Sequence, residues 1–92
     1  MAHPHFVITI ACADQPGIVA AITTELAAIG ANIAESSQFW DRQTNRFFMR
    51  IAIETPDGVD AQAVKRALQA PIARFELRLD INDLSKRPKI II

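Results

Sequence analysis

The sequence predicts an α+β domain of order βαββαβ. Three observations carry this reading. Four segments have strand chemistry, two segments repeat apolar residues at helical spacing, and turn-forming residues separate them. At 92 residues the chain is long enough for one compact domain and too short for two.

Residues 5–12, His-Phe-Val-Ile-Thr-Ile-Ala-Cys, are β-branched, aromatic and apolar on both faces, as a central strand requires. A helix is expected over 16–29, with Ile18, Ile22, Leu26 and Ile29 on its buried stripe. Asp14 suits its N-cap, and Pro16 suits the first turn because its missing amide proton would be unpaired there anyway. Gly30 ends the helix in a left-handed cap. The second strand, 32–41, is markedly polar through Glu35, Ser36, Ser37 and Gln38, so it belongs at a sheet edge or beside a site. The third, Arg46 to Glu54, sets Phe47, Met49, Ile51 and Ile53 on one face and follows as a hairpin. Thr55-Pro56-Asp57-Gly58 is a turn. Asp60 then caps a helix over 61–70 that Pro71 stops. Residues 74–81 alternate strictly between apolar and charged, which reads as the fourth strand. Right-handed crossovers between these elements give a four-stranded antiparallel sheet with two helices on one face, the ferredoxin-like arrangement.

Composition narrows the function classes. Half of the residues are hydrophobic, and ten basic residues balance ten acidic ones. No global field draws in nucleic acid or an anionic membrane. The aromatics Phe47 and Phe48, flanked by Arg46 and Arg50, are the residues that could stack bases, but the basic footprint of an RNA reader is missing. No apolar run reaches the roughly 20 residues of a membrane span, and the N-terminus lacks signal-peptide character. One cysteine excludes an internal disulfide framework, so a cytoplasmic protein is expected.

Catalytic groups are scarce. Cys12 ends a core strand and reads as a small buried hydrophobe. His3 and His5 lack the further ligands that zinc needs, so no metal site is expected. No phosphate loop or nucleophile elbow occurs. The binding candidates are the turn Asp14, Gln15, Pro16 and Gly17 with Ile18, and Asn32 with its neighbour Ile33. A helix start gathers amide donors and a positive dipole end, which suits a carboxylate. The Asn32 amide can donate and accept, which suits an amino acid. Both features also have purely structural readings, as a cap and as a turn residue. The expected fold brings the first loop and the start of the second strand to the same end of the domain.

Asp14-Gln15-Pro16-Gly17-Ile18-Val19 and Gly30-Ala31-Asn32-Ile33 resemble the ACT domain family of small-molecule sensors, over residues 5–82. The resemblance implies an amino-acid site where two copies meet, and nominates Asp14, Gln15, Pro16, Gly17, Ile18, Asn32 and Ile33. The hairpin Asp41-Arg42-Gln43-Thr44-Asn45-Arg46-Phe47-Phe48-Met49-Arg50 is similar to that of the N-terminal ACT domain of the formyltetrahydrofolate deformylase family. Those enzymes hydrolyse 10-formyltetrahydrofolate to tetrahydrofolate and formate in one-carbon and purine metabolism. The resemblance implies a regulatory domain over 1–82, a homo-oligomer through such domains, and control by methionine or glycine. It implies no cofactor and no catalytic residue within these 92 residues. Residues 83–92 read as a linker and the start of a further strand, or as a disordered hydrophobic tail, and the resemblance implies that they enter a formyltransferase-like domain. The alternative is an ACT-type assembly module without a ligand, its polar second strand pairing with a copy of itself.

Overall fold

The computed structural model describes residues 5–84. The order is β1 (Phe6–Ala13), α1 (Ile18–Ala28), β2 (Asn32–Asp41), β3 (Arg46–Glu54), α2 (Ala61–Ala67), α3 (Gln69–Phe75) and β4 (Arg78–Asp83). The four strands form one antiparallel sheet in the order β2-β3-β1-β4. β1 is central and β2 is an edge, as their composition requires. The ferredoxin-like reading holds, with the second helix divided in two.

The core lies on one face. Alternate residues of β1 (Phe6, Ile8, Ile10, Cys12) and of β3 (Phe47, Met49, Ile51, Ile53) are buried. Ile18, Ile22 and Leu26 of α1 close over them, joined by Val64, Leu68 and Phe75 from the α2–α3 arm. Burying a large aliphatic side chain contributes about 1.5–3 kcal/mol, so this row fixes the register of the sheet.

Four local expectations need correction. Asp14 does not cap α1. The N-cap is Gly17, at φ 89° and without a side-chain cap, and Ala21 N–H donates to the Gly17 carbonyl at 3.0 Å. Asp14 lies three positions ahead of that residue, across the Pro16–Gly17 bend. Pro71 does not stop the second helix either. It is the third residue of α3, where no intrahelical donor is needed. Its missing N–H instead leaves the Ala67 carbonyl without an i+4 partner, and the helix breaks at Leu68, between α2 and α3.

The fourth strand starts later than its alternation suggests. Residues 74 and 75 complete α3, Glu76 takes a left-handed conformation at φ 55°, and β4 begins at Arg78 and runs through Asp83. Phe75 and Leu77 are both buried. An alternating pattern looks the same when a helix end supplies its first apolar residue. Finally, the first loop and the start of β2 lie at opposite ends of the sheet. Ala13 pairs with Arg46, and Arg46 with Asp41, whereas Asn32 pairs with Glu54, beside the Phe6–Ile53 pair. The seven steps of strand between those ends span roughly 23 Å. Residues 85–92, expected to be linker and a further strand, lie outside the described residues.

Asp60 does cap α2, accepting from Ala63 N–H at 2.9 Å. Gly30 adopts φ 79°, and a Cβ there would meet Pro56 Cγ at 3.1 Å. Asp60→Ala is expected to cost about 1 kcal/mol. Gly30→Ala is expected to cost about 1–2 kcal/mol from the backbone alone, and more because Pro56 must move. Urea denaturation, with the slope unchanged, measures both.

Candidate functional site

The corner where β1 meets α1 is held by Gln15. Its Nε2 donates to the carbonyl of Ala13 at 3.3 Å and to that of Phe75, 60 residues away, at 3.1 Å. Both partners are acceptors, so the amide nitrogen is committed to the frame, and among the described residues the amide oxygen has no hydrogen-bond partner. The loop is also tied to the β2–β3 hairpin, because Asp14 N–H donates to the Asn45 carbonyl at 2.9 Å. Gly17 lies near the end of α3. A Cβ there would sit 3.9 Å from Phe75 Cζ, an ordinary contact, so the left-handed backbone rather than space demands glycine.

A polar cleft of about 270 Å³ opens at this corner, lined by Ala13, Gln15, Arg46, Arg74, Phe75 and Glu76. Arg46 comes from the start of β3, Arg74 from the last turn of α3, and Glu76 from its left-handed cap. The Arg74 guanidinium rests over the Phe75 ring at 5.0 Å. Among the described residues none of these three charged groups makes an ion pair. Two guanidiniums beside one carboxylate can receive a group that carries both signs, the anion on the arginines and the cation on Glu76. Glu76 is also a non-glycine residue at positive φ, a conformation that costs about 1–2 kcal/mol and needs its surroundings to hold it.

Of the residues nominated from the sequence, Gln15 lines this cleft, and Asp14, Pro16 and Gly17 form the adjoining bend. Asp14 and Pro16 are exposed. Ile18 is buried in the core and turns its side chain away from solvent. Asn32 and Ile33 are exposed at the far end of the edge strand. Sequence reasoning missed Arg46, Arg74, Phe75 and Glu76 as lining residues.

The family model described as the ACT domain matches residues 4–82, nearly the whole described chain. The chain belongs to the ACT domain family. It is 39% identical over 75 residues to formyltetrahydrofolate deformylase of Bacillus subtilis, a match that covers 80% of this chain and 24% of that protein. It also resembles the crystal structure of formyltetrahydrofolate deformylase from Burkholderia mallei, with a TM-score of 0.83 and 29% identity over 94% of this chain and 30% of that one. The deformylase structure from Pseudomonas syringae gives a TM-score of 0.80 and 30% identity, over 90% of this chain and 28% of that one. This ACT domain therefore spans about a quarter of the curated relative it matches. Among the described residues no helix is long and apolar enough to cross a membrane.

Beneath the corner, Cys12 is buried and free. Burial raises its thiol above the ordinary 9.0, the positive charge of Arg46 opposes the shift, and Asp14 adds to it. The folded thiol therefore keeps its proton to higher pH than the unfolded one. Stability is expected to be untouched by this group below pH ~9, and to fall as pH rises through the unfolded value. Denaturation midpoints of wild type and Cys12→Ala across that range measure the slope. Iodoacetamide is expected to label native Cys12 slowly at neutral pH and quickly in urea, since the thiolate is the nucleophile. Glu76→Gly is expected to raise stability by about 1 kcal/mol by releasing the left-handed strain, which thermal or urea unfolding reads directly.

Proposed function

We propose that this chain is the regulatory, amino-acid-binding ACT domain of a formyltetrahydrofolate deformylase. The full polypeptide would hydrolyse 10-formyltetrahydrofolate to tetrahydrofolate and formate in the cytoplasm, serving one-carbon and purine metabolism. The 39% identity to a deformylase more than three times its length supports that parent. Residues 1–82 are the regulatory unit, and 83–92 lead into the catalytic part. On this reading 10-formyltetrahydrofolate is a substrate of the parent, and no role for a cofactor is assigned to the described residues.

The observation that carries the ligand reading is the convergence of Arg46, Arg74, Glu76 and Gln15 on one small cleft. An α-amino acid presents a carboxylate to the two guanidiniums. Its ammonium meets Glu76 and the free amide oxygen of Gln15. Phe75 is only 5% exposed beneath the Arg74 guanidinium, so the cleft offers little apolar surface, and glycine asks less of it than the longer side chain of methionine. Asn32 joins this site only from a second copy. An antiparallel pairing of two β2 edges carries Asn32 of one chain to the Asp41 end of the other, the end at which the corner lies. The ligand is then shared between two chains.

Every residue of β2 but Asp41 is exposed, with Ile33 and Trp40 among them. That edge also supports the second reading, an assembly module without a ligand. Calorimetry separates the two. Methionine or glycine is expected to give binding heat with the dimeric 92-residue chain at millimolar ligand. Arg46→Ala is expected to weaken binding at least about tenfold, the loss of one charge-assisted hydrogen bond. Asn32→Ala weakens it without touching the corner of its own chain. No heat in a confirmed dimer would leave the assembly module as the function.

A further inference from the structure

The sheet face opposite the helices is uncovered, and its relief follows from the register. Four residues lie abreast across it: Phe39 on β2, Phe48 on β3, Ala11 on β1 and Arg78 on β4. The next row is Ser37, Arg50, Thr9 and Asp80. Phe39 and Phe48 stack at 6.3 Å and 29° as a ridge, and are 62% and 40% exposed. Beside them the small outer residues of β1, Thr9 and Ala11, form the floor of a trough walled on its far side by Arg78 and Asp80. This groove measures about 590 Å³.

We propose that this face, which meets the corner cleft at Arg46, docks against the same face of a second copy of the chain. Two physical arguments select that occupant. The first is charge. The face carries Arg46, Arg50 and Arg78 against Glu35, Asp41 and Asp80, a balance that favours neither a polyanion nor a polycation but allows self-pairing. The second is shape, taken with area. Four strands of this length cover on the order of 500 Å² in projection, and a standard interface takes about 800 Å² of accessible surface per partner. Only a centred pairing that uses the whole rugged face comes near that figure.

A centred two-fold axis parallel to the strands lays β3 of one copy over β1 of the other, and β2 over β4. The ridge residue Phe48 then stands over the trough residue Ala11 of the second copy. Arg78 comes over the Phe39 ring, and Ser37 comes opposite Asp80. Each juxtaposition is favourable, a knob over a hole, a cation on a ring and a hydroxyl donating to a carboxylate. An axis across the strands would instead set Asp41 against Glu35. The register therefore specifies one of the two symmetric arrangements, an aligned sandwich with sheets about 10 Å apart.

Sedimentation equilibrium on the 92-residue chain tests this, with Phe48→Asp and Ala11→Trp as variants that spoil the ridge and fill the trough. Both sites face solvent in the single chain, so circular dichroism melts are expected to stay close to wild type. Wild type is expected to self-associate at micromolar concentration, and each variant to do so at least tenfold more weakly. The double variant Phe39→Cys/Arg78→Cys provides the geometry. Within one chain these positions are three strand spacings apart, roughly 14 Å, so a short bis-maleimide is expected to join two chains and to leave Phe39→Cys alone far less cross-linked. A monomeric wild type overturns the proposal. So does an assembly whose mass neither Phe48→Asp nor Ala11→Trp changes, which would place association at the β2 edge alone. Retention of single-stranded RNA by wild type and not by Phe48→Asp would overturn it too, by giving the aromatic ridge to bases.

Discussion

Burial of one row on β1 constrains the rest of this domain. Phe6, Ile8, Ile10 and Cys12 are each 3% exposed or less. Because strand side chains alternate, fixing that row inward fixes Val7, Thr9, Ala11 and Ala13 outward. Partners in β3 follow through the register, with Phe47 and Met49 inward and Phe48 and Arg50 outward. One strand thus decides which residues make the core and which make the open face. A slip of one residue would exchange the two sets, burying Arg50 and Thr9 and exposing Ile8 and Met49, at a cost no other contact in so small a domain could offset.

The corner cleft depends on a different kind of constraint. Its groups come from the start of β3, the end of α3 and the bend after β1, and they meet only because the backbone is bent sharply at each junction. Gly17, Asn45 and Glu76 all adopt positive φ around it, at 89°, 55° and 55°. Glycine takes such a conformation freely, and asparagine does so at small cost. Glutamate does not, so the surrounding bonds must hold it there. The Gln15 amide clamps the Phe75 carbonyl immediately before it, and Leu77 N–H donates to the Ile72 carbonyl immediately after. Strain at a charged residue beside two arginines that make no ion pair among the described residues is the pattern expected of a site whose geometry is set in advance of its ligand.

Much of this architecture was legible in the sequence. β2 and β3 begin and end where their composition says, because a turn cluster, Arg42 to Asn45, separates a polar strand from an apolar one. The Asp60 cap was legible for the same local reason. The failures lie where local chemistry was ambiguous. Asp14 has cap chemistry, yet the real N-cap is set by the left-handed bend at Gly17. Pro71 reads as a terminator, yet three residues into a new helix it needs no donor. The alternation from Arg74 onward concealed a helix end. The lining residues of the cleft were illegible for a deeper reason. Arg46, Arg74 and Glu76 are unremarkable surface charges along the chain, and only the tertiary register brings them together. The left-handed Glu76 has no signature in the sequence at all.

The two surfaces share a strand. Arg46, which lines the cleft, and Phe48, on the open face, are two residues apart and point to the same side of β3. A group that engages Arg46 therefore acts roughly 7 Å from the ridge, without any relay through the core. Proximity does not by itself make a switch. An effector shifts an assembly only by the difference between its affinities for the two arrangements, and by linkage the assembly changes effector affinity by the same factor. A change of about 1–3 kcal/mol is the usual scale of such coupling, comparable to gaining or losing one charge-assisted hydrogen bond at Arg46. A single arginine at the start of β3 can therefore supply coupling of that size, and the rigid, fully paired strand behind it is the element that would transmit it.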